Sequence, residues 1–153
     1  MRTLAIVFLF LFASCSADPS GGGNGNGNSY TISVGEGINF NTKKVTQPGN
    51  FKNSDLYAVE NGLDGLKLIS GGPNSTQASP VNWFKSGGFH ETFASLADVP
   101  SEKPSDKPFG QSLPHAKTGN GFVVKNHLGF GYTRGWISHA DANEVVLEFS
   151  HLD

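Results

Sequence analysis

The chain has 153 residues, with 12 Phe, 20 Gly and 8 Pro against a single Cys and a single Met, and a formal net charge of −2. That slight acidity, with no basic cluster denser than Lys43-Lys44, lacks the electrostatic footprint of a nucleic-acid binder, so no nucleic acid is expected as a partner. A lone cysteine excludes an internal disulfide framework, and the length beyond residue 30 suffices to bury a core without disulfides or metal.

Residues 1–14 read as a secretory signal peptide: Met1-Arg2 supplies positive charge, residues 4–12 are an unbroken apolar run, and Ala13-Ser14 are small. The run offers about half of the roughly 20 apolar residues a membrane-spanning helix needs. It stops at Cys15. The sequence Phe12-Ala13-Ser14-Cys15 resembles the lipobox of bacterial lipoproteins, with Phe12 where Leu is usual. The resemblance covers the first fifteen or so residues. It implies cleavage before Cys15, diacylglycerol on its thiol and acylation of the new amino group, hence a membrane partner through lipid at Cys15. Several acyl chains hold a membrane far more firmly than one. Ser16 in place of Asp after the cysteine implies an outer-membrane or cell-surface destination. The same residues also allow an ordinary signal peptide cut near Ala17 and a secreted soluble product.

Residues 15–29 carry three consecutive glycines at 21–23, alternating Gly and Asn from Gly23 to Asn28, and no large apolar side chain before Tyr30. Such a stretch cannot offset its ordering entropy by burial and reads as a flexible tether with a root-mean-square span of roughly 20 Å.

Residues 30–153 read as one β-rich domain, an antiparallel β-sandwich or small barrel with at most one short helix. Tyr30, Ile32 and Val34 alternate with polar residues, the period of a half-buried strand. Ile38-Asn39-Phe40 resumes the alternation up to Val45, so this first unit is expected to be a hairpin or a bent strand, closed by the turn residues Gln47-Pro48-Gly49-Asn50. Two strands, 55–59 and 66–70, flank the turn dipeptides Asn61-Gly62 and Asp64-Gly65. An exposed loop is expected at 71–76 and a further strand at 81–85. Phe89, Phe93, Leu96 and Ala97 have helical spacing ahead of Pro100, which predicts one or two helical turns within 89–99. Residues 100–121 are Pro-rich and contain the tandem Ser101-Glu102-Lys103-Pro104, Ser105-Asp106-Lys107-Pro108, which predicts an extended exposed loop pinned by Phe109 and Leu113. Strands at 122–125, 130–138 and 145–149, joined by short turns, predict an antiparallel meander. In the middle strand Tyr132, Arg134 and Trp136 share one face; Gly131, Thr133 and Gly135 share the other, leaving room for close approach.

The chemistry on offer is sparse. No Gly-x-Ser-x-Gly elbow or phosphate loop occurs, and no carboxylate pair is flagged for glycoside cleavage, so no catalytic residue is assigned and no enzyme is expected. His90, His115, His127, His139 and His151 never form a His-x-His or His-x3-His pair, and no metal ligand is assigned. The candidate ligand surface is Trp83, Tyr132, Arg134 and Trp136, in which a cation among aromatic rings suits an anionic or sugar ligand. The same residues serve equally for cross-strand packing. The layout from Tyr30 is similar to small all-β domains of bacterial surface lipoproteins, with its opening Ile38-Asn39-Phe40-Asn41-Thr42, Asp55-Leu56-Tyr57, Trp83 and a closing Val145-Val146-Leu147-Glu148-Phe149. Some of these, the haemophore-like lipoproteins, bind haem through paired histidines, and their ligands map onto no histidine here. The expected role is therefore a lipid-anchored extracytoplasmic binding or surface-structural domain without catalysis and without a cofactor, engaging a protein or glycan. The alternatives are a haem- or metal-binding lipoprotein and a carbohydrate-binding or hydrolase accessory domain.

Overall fold

The computed structural model describes residues 29–62, 65–70, 81–83, 85–86, 89–102, 116–126 and 131–152. The expected signal peptide, Cys15, the tether, the 71–76 loop, Phe109 and Leu113 lie outside them. The strands are β1 (Ser29–Ser33), β2 (Gly37–Asn39), β3 (Lys44–Thr46), β4 (Leu56–Glu60), β5 (Leu66–Ser70), β6 (Val81–Trp83), β7 (Lys85–Ser86), β8 (Phe89–His90), β9 (Gly121–Lys125), β10 (Tyr132–Ala140) and β11 (Glu144–Leu152). They form a five-stranded sheet in the order β1-β11-β10-β9-β6, a four-stranded sheet in the order β3-β2-β4-β5, and the ribbon β7-β8. All pairings are antiparallel.

The two larger sheets face each other across one core, which makes the domain a sandwich and not a closed barrel. Period-two alternation decides which residues enter it. Ile32, Phe122, Val124, Ile137, Val145, Leu147 and Phe149 come from the five-stranded sheet; Ile38, Leu56, Ala58, Leu66 and Leu68 come from the other. Phe149 links the layers, its ring centroid 4.7 Å from Phe40 and 4.9 Å from Tyr30. The fully buried large side chains are mostly Ile and Leu, joined by Phe40 and Phe122, so the core is more aliphatic than the count of Phe suggests. Buried Asp55 accepts a hydrogen bond from Phe40 N at 2.9 Å and fixes the turn after β2.

Two expectations are corrected. The first unit is a hairpin only in its second half, where β2 pairs with β3; β1 pairs instead with β11, and the chain crosses between the two sheets at residues 34–36. Alternation alone cannot say which strand is a partner, and the crossing is held by Gly35 N to Ala58 O at 2.9 Å and Ala58 N to Glu36 O at 2.9 Å. Residues 89–99 form no α-helix. Strand β8, a bridge from Thr92 to Asn120 and a 3-10 turn at Leu96–Asp98 occupy the stretch, and Phe93 and Val99 pack on the five-stranded sheet instead of on a helix face. The meander β9-β10-β11 is as expected, with a bulge at Ser138 that lets Ala140 turn back toward the core.

The close approach expected at the glycine face comes from a cross-strand ring. Gly135 stands opposite Phe122, and a Cβ there would lie 2.6 and 2.7 Å from two carbons of the Phe122 ring and nearer still to a third. Gly135→Ala is expected to lose roughly 1–3 kcal/mol in urea denaturation by overpacking. An unchanged unfolding midpoint would show that the ring is free to move aside.

Candidate functional site

The outer face of the five-stranded sheet is built by the residues that alternate with the core set. Strand β10 contributes Tyr132, Arg134 and Trp136, β9 contributes Gly121, Val123 and Lys125, and β11 contributes Glu148, Ser150 and Leu152. In register, Tyr132 stands between Lys125 and Leu152, Arg134 between Val123 and Ser150, and Trp136 between Gly121 and Glu148. Trp83 pairs with Phe122, a position of the opposite parity, so the backbone does not bring it into the row of Tyr132, Arg134 and Trp136.

Part of this face is covered by residues 91–99. Val99 and Val123 are fully buried against each other, with Phe93, Tyr132, Trp136 and Leu152 half-buried around them, a second apolar cluster on the far side of the sheet from the main core. Phe93 packs on the bare backbone of Gly121, where a Cβ would come within 2.7 Å of its ring. The covering segment is shaped by the Ser95 Oγ to Asp98 Oδ2 bond at 2.8 Å. It is tied down by Phe93 N to Gly119 O at 2.8 Å and by Asn120 Nδ2 to Glu91 O at 3.5 Å.

Two of the predicted surface residues take part in that attachment. Trp136 Nε1 donates to Phe93 O at 2.9 Å, and Arg134 Nη1 donates to Val99 O at 2.6 Å while its Nε donates to Ser150 Oγ at 2.8 Å. Both side chains are half-buried, and among the described residues the guanidinium makes no ion pair. The structure thus brings Tyr132, Arg134 and Trp136 together and lays the chain's own backbone over part of them. Sequence reasoning missed the covering segment, although Phe93 and Val99 ahead of Pro100 were its signal. It also missed Lys125, whose place beside Tyr132 depends on register.

Two histidines have described side chains. His139 Nε2 lies 3.5 Å from Asp141 Oδ2, both about half exposed. The Asp141 carboxylate accepts from Asn143 N at 2.7 Å and Glu144 N at 2.9 Å. These bonds, the one from Asn143 first, hold its carboxyl below the ordinary 3.8, with a smaller contribution from His139. At the other end of the sheet the buried Thr133 hydroxyl donates to Asn126 Oδ1 at 2.8 Å. Its proton is then committed, so the 3.1 Å contact with His151 Nδ1 has the ring N–H as donor. Among the described residues no three His, Cys, Asp or Glu side chains gather as a metal set. His115 and His127 lie outside the described residues.

No family model, curated protein or solved structure matches this chain. The site is therefore read from its own geometry.

Trp136→Phe keeps an aromatic ring, smaller than the indole, and removes the donor; it is expected to cost at least about 1 kcal/mol and to speed amide hydrogen exchange at Phe93. Unchanged exchange there would mean that the indole bond does not hold the segment. Because the Asp141 carboxyl titrates lower in the folded chain than in the unfolded one, its stabilisation is present above the unfolded value and lost as pH falls through the folded one. Asp141→Asn should melt at a lower temperature than the parent at neutral pH, with the gap closing on acidification. A gap independent of pH would rule out this origin.

Proposed function

We propose that the chain is a lipid-anchored, extracytoplasmic binding or surface-structural domain that performs no catalysis, attached to a membrane through Cys15 and meeting a protein or glycan partner with its β-sandwich. The observation that carries this reading is Cys15 itself, standing alone where the apolar run ends and ahead of a Gly/Asn stretch that leads into β1. The register of β1 adds a geometric consequence. Ser33 pairs with Glu144 beside the β10–β11 turn, while Ser29 pairs with Glu148, midway along β11, so a tether entering at Ser29 joins the sheet away from that turn. The turn residues 141–143 are exposed and the turn is held by its own Asp141 carboxylate, so a domain on such a tether offers the partner an ordered tip.

Metabolic labelling of the full chain with a palmitate analogue tests the anchor. Label is expected on the parent chain and not on Cys15→Ser, which is expected in the soluble fraction. Label retained by Cys15→Ser, or an unlabelled parent released as soluble protein, would overturn the anchored reading.

A further inference from the structure

We infer that Arg134, with Lys125 beside it, forms an anion-binding point on the outer face of the five-stranded sheet, taking a carboxylate or phosphate group of the ligand. This deepens the binding role proposed above and rests on it, but not on acylation of Cys15.

Arg134 is half-buried, and its bonds among the described residues go to two neutral acceptors, the Val99 carbonyl and the Ser150 hydroxyl. The guanidinium carries more N–H donors than those two bonds use. A cation that is partly withdrawn from water is ordinarily paired with an acid. Here the acid on the same face, Glu148, stands in register with Trp136 and makes no ion pair with Arg134. The positive charge is thus held in place by neutral bonds that orient it, a state that favours an incoming oxyanion through charge-assisted hydrogen bonds.

A second cation stands next to it. Lys125 is exposed, directly opposite Tyr132, and makes no ion pair among the described residues. Arg134 lies one step along the same face, opposite Val123, which makes the two residues diagonal neighbours whose backbone positions are roughly 7–8 Å apart, within reach of two long side chains. Tyr132, half-buried in the second apolar cluster, lies between them along the face. An anion there meets a fixed guanidinium on one side and a mobile ammonium on the other. The Val99 carbonyl fixes the guanidinium, so the covering segment acts as a positioning element for the anion point.

The test uses the full chain carrying Cys15→Ser, which keeps it soluble, titrated at constant ionic strength with inorganic phosphate and separately with acetate. The readouts are the Arg134 Nε–H and Trp136 Nε1–H resonances. A saturable shift of the Arg134 resonance in the millimolar range is expected, with affinity weakened at least about twofold in Lys125→Gln, where one of the two charges is gone. In Arg134→Lys the Trp136 resonance should no longer respond. If that variant does not fold, the Lys125→Gln comparison carries the decision alone. Parallel sedimentation with vesicles of phosphatidylglycerol and of phosphatidylcholine identifies the source of the anion. Retention on the anionic vesicles that Lys125→Gln weakens points to a lipid headgroup, and a response to the free anions alone points to a soluble ligand. Absence of a saturable shift with either anion, together with no Lys125-dependent vesicle binding, would overturn the inference. So would a shift that Lys125→Gln leaves unchanged. Neither outcome touches the acylation result, so the two readings fail separately.

Discussion

The ring of Phe122 fills the space that a side chain at position 135 would need, and the central part of the five-stranded sheet is arranged around that contact. Strand β10 pairs with β9 on one side and β11 on the other, so its inner face must admit bulk from both neighbours. Gly135 stands between Phe122 and Phe149 in register, and leaving out its side chain lets one phenyl ring cross the strand while the other reaches Phe40 of the opposite sheet. The strand loses intrinsic stability by carrying glycine. The packed ring offsets that loss. Removing the glycine would displace Phe122, and with it the alignment of β9 that sets Val123 and Lys125 on the outer face.

The same device recurs on that outer face. Gly121 receives Phe93 as Gly135 receives Phe122, and each glycine makes a seat for an aromatic side chain from another segment. The five-stranded sheet therefore packs apolar groups on both sides along β9 and β10: one side meets the second sheet, the other meets Phe93 and Val99. Arg134 and Trp136 belong to the second of these interfaces. Their polar atoms are fixed by backbone carbonyls, so that face is a built surface with a charge at its margin.

Most of the strands were legible because strand burial has period two, and a run such as Val145, Leu147, Phe149 declares its face without reference to anything distant. The closing meander was legible for a further reason: its partners are adjacent in sequence and its turns are short. What escaped was long-range pairing. Nothing in residues 30–34 says that their partner lies at 144–148, and local alternation fits a hairpin with residues 38–45 equally well. The segment 89–99 was misread as helical because spacings of three and four also suit an irregular strap whose apolar residues drop onto a sheet. Within the candidate site, the shared face of Tyr132, Arg134 and Trp136 follows from strand parity alone. Parity within one strand says nothing about what lies above it, and the bonds to Phe93 and Val99, like the placement of Lys125, depend on register and on a tertiary crossing.

The pairing of β1 with β11 joins the first described strand to the last one, and this has a temporal meaning. Two edges of the sheet's history, its beginning and its completion, are the same seam. As the chain emerges from amino to carboxyl end, β1 comes first among the described strands, and its one partner among them is residues 144–148, near the end of the described chain. The four-stranded sheet and the β4–β5 hairpin can close from sequence neighbours in the meantime, whereas the seam demands the largest loop closure in the domain, the kind of contact that slows folding. The carboxyl-terminal strand thus acts as the clasp of the domain, and the order of synthesis leaves the residues next to the expected tether waiting longest for their place.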